Sequence, residues 1–204
     1  MTRRLWLVVS VLLALGFGHA RAADPDWPCQ QPLVPLLSAA AIWSGPPLEG
    51  VGDWRETASV KTLVERIAPR PVKQADGVAA IDAFPWPASA EERARLSTLI
   101  FAGLLEETNR QRTSLISEIK DLGQRQRNLA ALVSRLTAEM DAIPPEAEGD
   151  DAARRADLLE RRTYTARSFE AGQRTVRYAC EAPVTLDSRL GAYARALKEK
   201  SENR

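Results

Sequence analysis

The chain has 204 residues, with 28 basic and 27 acidic side chains and one histidine, a formal net charge of +1. Near-neutral charge lacks the basic footprint that nucleic-acid binding leaves. A single histidine removes most triad and zinc chemistry.

The first residues, Met1-Thr2-Arg3-Arg4, precede an apolar run from Leu5 to Phe17 and then Ala20-Arg21-Ala22. A charged start, a short apolar stretch and small residues before a cut site form a secretory signal peptide. The run is too short for a spanning helix, which needs about 20 residues. Residues 1–22 are therefore expected to be removed, with ordinary export preferred to a twin-arginine route because no cofactor motif follows. Cys29 follows Asp26-Trp27-Pro28, not a lipobox, so the mature chain is expected to be soluble. Removal takes Arg3, Arg4, Arg21 and His19, leaving 25 basic against 27 acidic residues, a net charge of −2. The remaining 23–204 suffice for one domain with a real core.

Cys29 and Cys180 are the only cysteines. In an oxidising compartment an isolated pair is expected to form a structural disulfide. Neither Cys-x-x-Cys nor a haem attachment motif is present.

Residues 23–88 read as an arm, a helix and a linker. Pro28, Pro32, Pro35, Pro46 and Pro47 make the arm largely extended, with a helical turn or two over Ser38 to Trp43 and Ser38 as N-cap. Trp27 and Trp43 are expected in the core. Val60, Leu63, Val64 and Ile67 define the buried face of a helix over about 53–68, ended by Pro69 and Pro71. A linker with Gly77, Phe84 and Trp86 follows.

A long helix is predicted over 89–143. Ser89-x-x-Glu92 has the capping-box form. Leu96, Leu99, Ile100, Gly103 and Leu104 make a broad stripe suited to a bundle. Leu115, Leu122, Leu129, Leu136 and Ile143 then recur every seven residues, with Ile119, Gln126, Val133 and Met140 between them, a coiled-coil seam. A turn is predicted at 144–150, a return helix at 151–180, and a last helix at 184–200. Short polar loops join antiparallel neighbours. The fold expected is all-α: a basal helical bundle, a protruding antiparallel coiled-coil hairpin and a Pro/Trp-rich extended N-terminal arm. Counting back from the tip puts Cys180 near residue 114, where Cys29 would clamp the arm at the hairpin's root. The seam also offers a route to homo-oligomers.

No catalytic, cofactor or metal residues are assigned. The carboxylates Glu146, Glu148, Asp150 and Asp151 lack the calcium-loop pattern and read as a solvated tip. Ser117-Glu118-Ile119-Lys120 matches Ser-x-x-Lys without its companion motifs, and no phosphate-binding loop occurs. The polar feature that stands out is Arg154, Arg155, Arg161, Arg162, Arg167, Arg174 and Arg177 on the return helix. They either pair with Glu118 and Glu139 of the facing helix or form a docking surface for an acidic partner or anionic polymer.

The mature opening Asp26-Trp27-Pro28-Cys29-x-Gln31, with Pro35, Leu37-Ser38, Trp43 and Gly45-Pro46, resembles a family of small secreted proteobacterial proteins. The resemblance covers about 25 residues and implies export, with no activity attached. The function expected is a non-enzymatic periplasmic interaction protein, scaffold or chaperone-like, with an envelope or periplasmic protein as partner. The alternative is binding of a small ligand in a basal pocket lined by Trp27, Trp43, Trp54 and Trp86.

Overall fold

A computed structural model describes residues 24–202, so the expected signal peptide lies outside the described residues. Among the described residues five α-helices follow in order: α1 (Ala39–Ile42), α2 (Ala58–Ile67), α3 (Gln74–Asp82), α4 (Ala90–Asp141) and α5 (Gly149–Glu202). A 3₁₀ turn at Trp54–Glu56 leads into α2, and no strand occurs among these residues. The all-α expectation holds, and α4 and α5 pack together as an antiparallel hairpin. With 52 and 54 residues, the two helices are each roughly 80 Å long at about 1.5 Å per residue.

The base forms where the apolar stripes are broad. Val60, Leu63, Val64 and Ile67 of α2 are buried against Leu96, Leu99, Ile100, Phe101 and Leu104 of α4. Leu190, Tyr193, Ala194 and Leu197 of α5 close the same core. Each such large side chain contributes about 1.5–3 kcal/mol on full burial. Trp43 stacks on Phe101 with ring centroids 4.6 Å apart. Gly103 is required where Trp54 lies: an added Cβ would come within 2.8 Å of the indole. Ser89 caps α4 by accepting the Glu92 N–H at 3.4 Å. The reciprocal half of the capping box does not form, because the Glu92 carboxylate takes Arg95 at 2.7 and 2.9 Å.

Two element assignments differ from expectation. The linker after α2 contains helix α3, and Gly77 inside it is buried against Tyr193, whose ring an added Cβ would strike. The glycine marks a close helix approach, not a flexible joint. The separate helices expected at 151–180 and 184–200 are one helix, with Pro183 in its interior. A proline there costs about 3 kcal/mol. The core-facing stripe nevertheless runs in phase across it, from Val176 and Cys180 through Pro183 to Leu186 and Leu190, so packing on α4 carries the helix through. Trp27 also departs from expectation. It is half-buried beside the arm rather than in the basal core, its Nε1 donating to the Gln31 carbonyl at 2.7 Å.

The heptad seam pairs within the chain. Leu115, Ile119, Leu136 and Ile143 are buried, the last two joining Leu158 in a small cluster near the tip. Between them Leu122, Gln126, Leu129 and Val133 are only half-buried. The facing stretch of α5 is rich in small residues, and Gly172 makes room for the Gln126 amide.

Cys29 and Cys180 form the expected disulfide, with Cα atoms 5.6 Å apart. Arg112 donates to the Pro183 carbonyl at 3.2 Å, while Gln126 packs on Gly172. Cys180 therefore lies between those levels, close to the position counted from the tip. The arm runs from mid-hairpin toward the base along α4. Asp24 pairs with Lys120 at 2.7 Å and Asp26 with Arg127. Gly123 lets the Asp26 backbone lie directly on the helix. Asn109 accepts the Leu37 N–H at 2.8 Å and donates to its carbonyl at 3.0 Å.

Candidate functional site

The seven arginines singled out in the sequence all lie along the hairpin's second helix. Arg154, Arg161, Arg167, Arg174 and Arg177 are exposed, while Arg155 and Arg162 are half-buried at the edge of the seam. Arg162 Nε donates to Thr137 Oγ1 of α4 at 2.8 Å. Arg155 Nε is buried with no partner. Arg161 stands 3.7 Å from Asp157, one turn earlier on its own helix, an exposed pair worth little.

The expected pairing with Glu118 and Glu139 does not occur. Glu118 accepts from Ser114 on its own helix at 3.1 Å, and among the described residues no α4 carboxylate pairs with any of the seven. The reason is helical phase. Leu158, Phe169 and Val176 turn toward α4, so Arg167 and Arg174 point away from it, while Arg177 stands on the flank of the helix.

Two other arginines escaped the sequence reading and belong to the structure. Arg112 is 3 % exposed. It donates to the carbonyls of Pro183 and Val34, the latter at 2.6 Å, and pairs with Asp187. It sits three residues before Leu115, a core position of the heptad extended upstream, and that placement was the available signal. Burial raises the Asp187 carboxyl above the usual value, with the Arg112 charge opposing. Arg189 is 5 % exposed and fans onto the carbonyls of Ala68, Pro69, Arg70 and Val72, ending α2. Burial lowers its pKa.

A groove of about 940 Å³ opens beside the disulfide at the root of the hairpin. Pro28 to Gln31 of the arm form one wall, and Phe169, Val176, Arg177 and Val184 of α5 the other. Gln126 lines it, and its Oε1 is buried without a partner. None of the four tryptophans does. Trp43 and Trp54 are buried, the Trp54 Nε1 donating to Glu106 at 2.9 Å, and Trp86 donates to the Ile81 carbonyl at 2.9 Å.

Lys120 of the Ser-x-x-Lys match is taken by Asp24. Glu146, Glu148, Asp150 and Asp151 are exposed at the tip. Among the described residues no three or more acidic, cysteine or histidine side chains converge as a metal site, and no described helix is long and apolar enough to cross a membrane. Comparisons of the chain with protein-family models, curated proteins and solved structures find no match.

Proposed function

We propose that the protein is a non-enzymatic interaction protein of the periplasm, a scaffold or chaperone-like factor that presents its hairpin to an acidic surface of an envelope protein. The observation that carries this reading is the set of exposed arginines on α5 that no α4 carboxylate answers. A guanidinium fork binds carboxylates in two-point fashion and is weakly hydrated, which suits it to such interfaces. The signal-like N-terminus and the disulfide support export, since disulfides persist in oxidising compartments.

The test is site-specific photocrosslinking in cells, with the probe at Arg177 and, as control, at Arg70 in the base. Adducts confined to the α5 probe, and lost on deleting about 125–170 while the base stays folded, are expected. Equal adducts from both probes, or from the deletion variant, would sink the reading.

A second reading, binding of a small ligand, is favoured by the groove at the disulfide rather than by a tryptophan-lined pocket. Trp27 reaches Gln31 on the groove's wall and serves as its fluorescent reporter. Saturable quenching that Gln126→Leu removes is expected of a bound ligand; unsaturable quenching counts against it.

A further inference from the structure

We propose that the groove beside the disulfide binds a short neutral saccharide. The proposal rests on the reading of that groove as a ligand site and names the class of its ligand. The volume of about 940 Å³ falls within the range of about 300–1,000 Å³ usual for small-molecule sites. Two distant parts of the chain supply the walls, the arm and α5, and the Cys29–Cys180 bond fastens one to the other. Four glutamines converge on the space: Gln30 and Gln31 from the arm, Gln126 from α4 and Gln173 from α5. Gln31 spends its Nε2 on the Cys180 carbonyl at 2.6 Å and keeps its Oε1. Gln126 Oε1 has no partner, so the fold does not lock that amide and it can turn either end to a ligand. Gln30 and Gln173 are exposed.

The lining narrows the ligand class by what each alternative would leave unanswered. The two charged side chains at the groove, Arg177 and Glu181, cancel, so the site carries no net charge for a phosphate or a nucleotide. An apolar ligand would take the amides out of water without pairing them. An extended peptide binds by adding a strand to a main-chain edge. The arm offers no such edge, because Pro28, Pro32 and Pro35 lack an N–H and the backbone bends at Gln30 and Gln31. A sugar ring answers the whole set. Each glutamine amide presents a donor and an acceptor side by side, and neighbouring hydroxyls, which both donate and accept, match that pattern. Phe169 and Val176, half-buried on the α5 wall, give the apolar surface that the C–H face of the ring covers.

Titration calorimetry of the oxidised mature chain with maltotriose, or with the trisaccharide of N-acetylglucosamine, is expected to show saturable binding of at least one at about millimolar concentration or below. The affinity should be the same at low salt and at about 0.5 M salt, because no ionic contact carries it. Gln30→Leu and Gln173→Leu, both at exposed positions, should each weaken binding about fivefold, the loss of one hydrogen bond. Reduction should abolish binding while helix content stays, since the arm's wall is no longer fastened to α5. No binding of either trisaccharide at about 10 mM, or binding that survives both leucine variants and reduction, overturns the proposal. Tighter binding of trialanine than of either sugar overturns it too. Failure here is separable from failure of the groove reading. Saturable Trp27 quenching by trialanine that Gln126→Leu removes sinks the saccharide and keeps the groove; trisaccharide binding that every groove variant leaves untouched sinks both.

Discussion

Replacing Cys29 and Cys180 together by serine removes the covalent tie between the arm and the hairpin. The cysteines are 151 residues apart, and restricting an unfolded chain over a loop of that length stabilises the fold by about 5 kcal/mol in the chain-entropy treatment. Each other contact that holds the arm is weaker on its own, the Asp26–Arg127 pair and the two Asn109–Leu37 hydrogen bonds included. The Asp24–Lys120 pair is about one-third exposed on each side, and a partly exposed pair contributes about 1 kcal/mol or less. The hydrogen bonds from Gln31 to the Cys180 carbonyl, at 2.6 Å, and from Arg112 to the Val34 carbonyl add about 1–2 kcal/mol each. The base and hairpin should therefore still fold, with the arm released first. Urea unfolding is expected to lose most of the 5 kcal/mol, a midpoint shift of roughly 2 M or more for a slope of about 2 kcal/mol/M. Hydrogen exchange over residues 24–37 should rise to unprotected rates well below that midpoint. Reduced wild-type protein should behave as the serine variant does. A loss under about 1 kcal/mol with unchanged arm exchange would refute the reasoning, because the arm would then be held by contacts other than those seen.

Gly77→Ala drives a methyl into the Tyr193 ring and should lower stability by about 1–3 kcal/mol despite the better helix propensity; Tyr193→Phe should recover part of the loss in thermal melts. Arg189→Met removes a donor from four carbonyls, leaving those of Arg70 and Val72 without one while Gln111 still serves Ala68 and the Val72 N–H still serves Pro69; it should cost about 2–3 kcal/mol, with Arg189→Lys recovering less than half because an ammonium cannot fork across them. The hydrogen bond from Arg55, aided by Trp54, holds the Glu106 carboxyl below its usual range. A depressed carboxylate contributes fully above the unfolded value of about 4.3 and loses that contribution as pH falls through its lower folded value. Wild type should thus exceed Glu106→Gln slightly at neutral pH, and the gap should close below about pH 4, read by Trp54 fluorescence during unfolding. Gln126→Leu removes a buried unpaired oxygen from the seam and should raise the hairpin's stability by about 1 kcal/mol; an unchanged or lower melting temperature would show that a bound water or ligand satisfies it.

Periodicity carried most of the architecture. The stripe from Leu96 to Leu104 and the sevens from Leu115 to Ile143 translate into base and hairpin because burying an apolar face is the largest favourable term available to a helix. The disulfide followed from having two cysteines and an expected export route. Glycine and proline misled in the same way at both errors. Gly77 and Pro183 are local breakers by propensity, yet each sits at a contact, with Tyr193 and with α4, whose packing outweighs the local cost. Arg112 and Arg189 are not legible because charge reads as surface, whereas their guanidinium groups here serve backbone carbonyls outside the helices, those of Val34, Arg70 and Val72. The seven arginines of the return helix stand out in the sequence as a group, but their pairing does not, since composition does not say which side of a helix faces its neighbour.

The two long helices of the hairpin answer to different physics. On α4 the leucines face inward, and their spacing is explained once α5 covers them. On α5 the inward side carries Leu158, Phe169 and Val176 but thins to Gly172 opposite Gln126, with a half-buried stretch in mid-hairpin. A return helix selected only to close the seam would place its bulk there. Instead its two most exposed tyrosines stand on the outside, at heptad spacing, with Arg167 and Arg174 between them. Exposed aromatic rings cost solubility and give the isolated fold nothing in return. The hairpin's looser interior is offset at its root, where the arm, the disulfide and Arg112 fasten both helices.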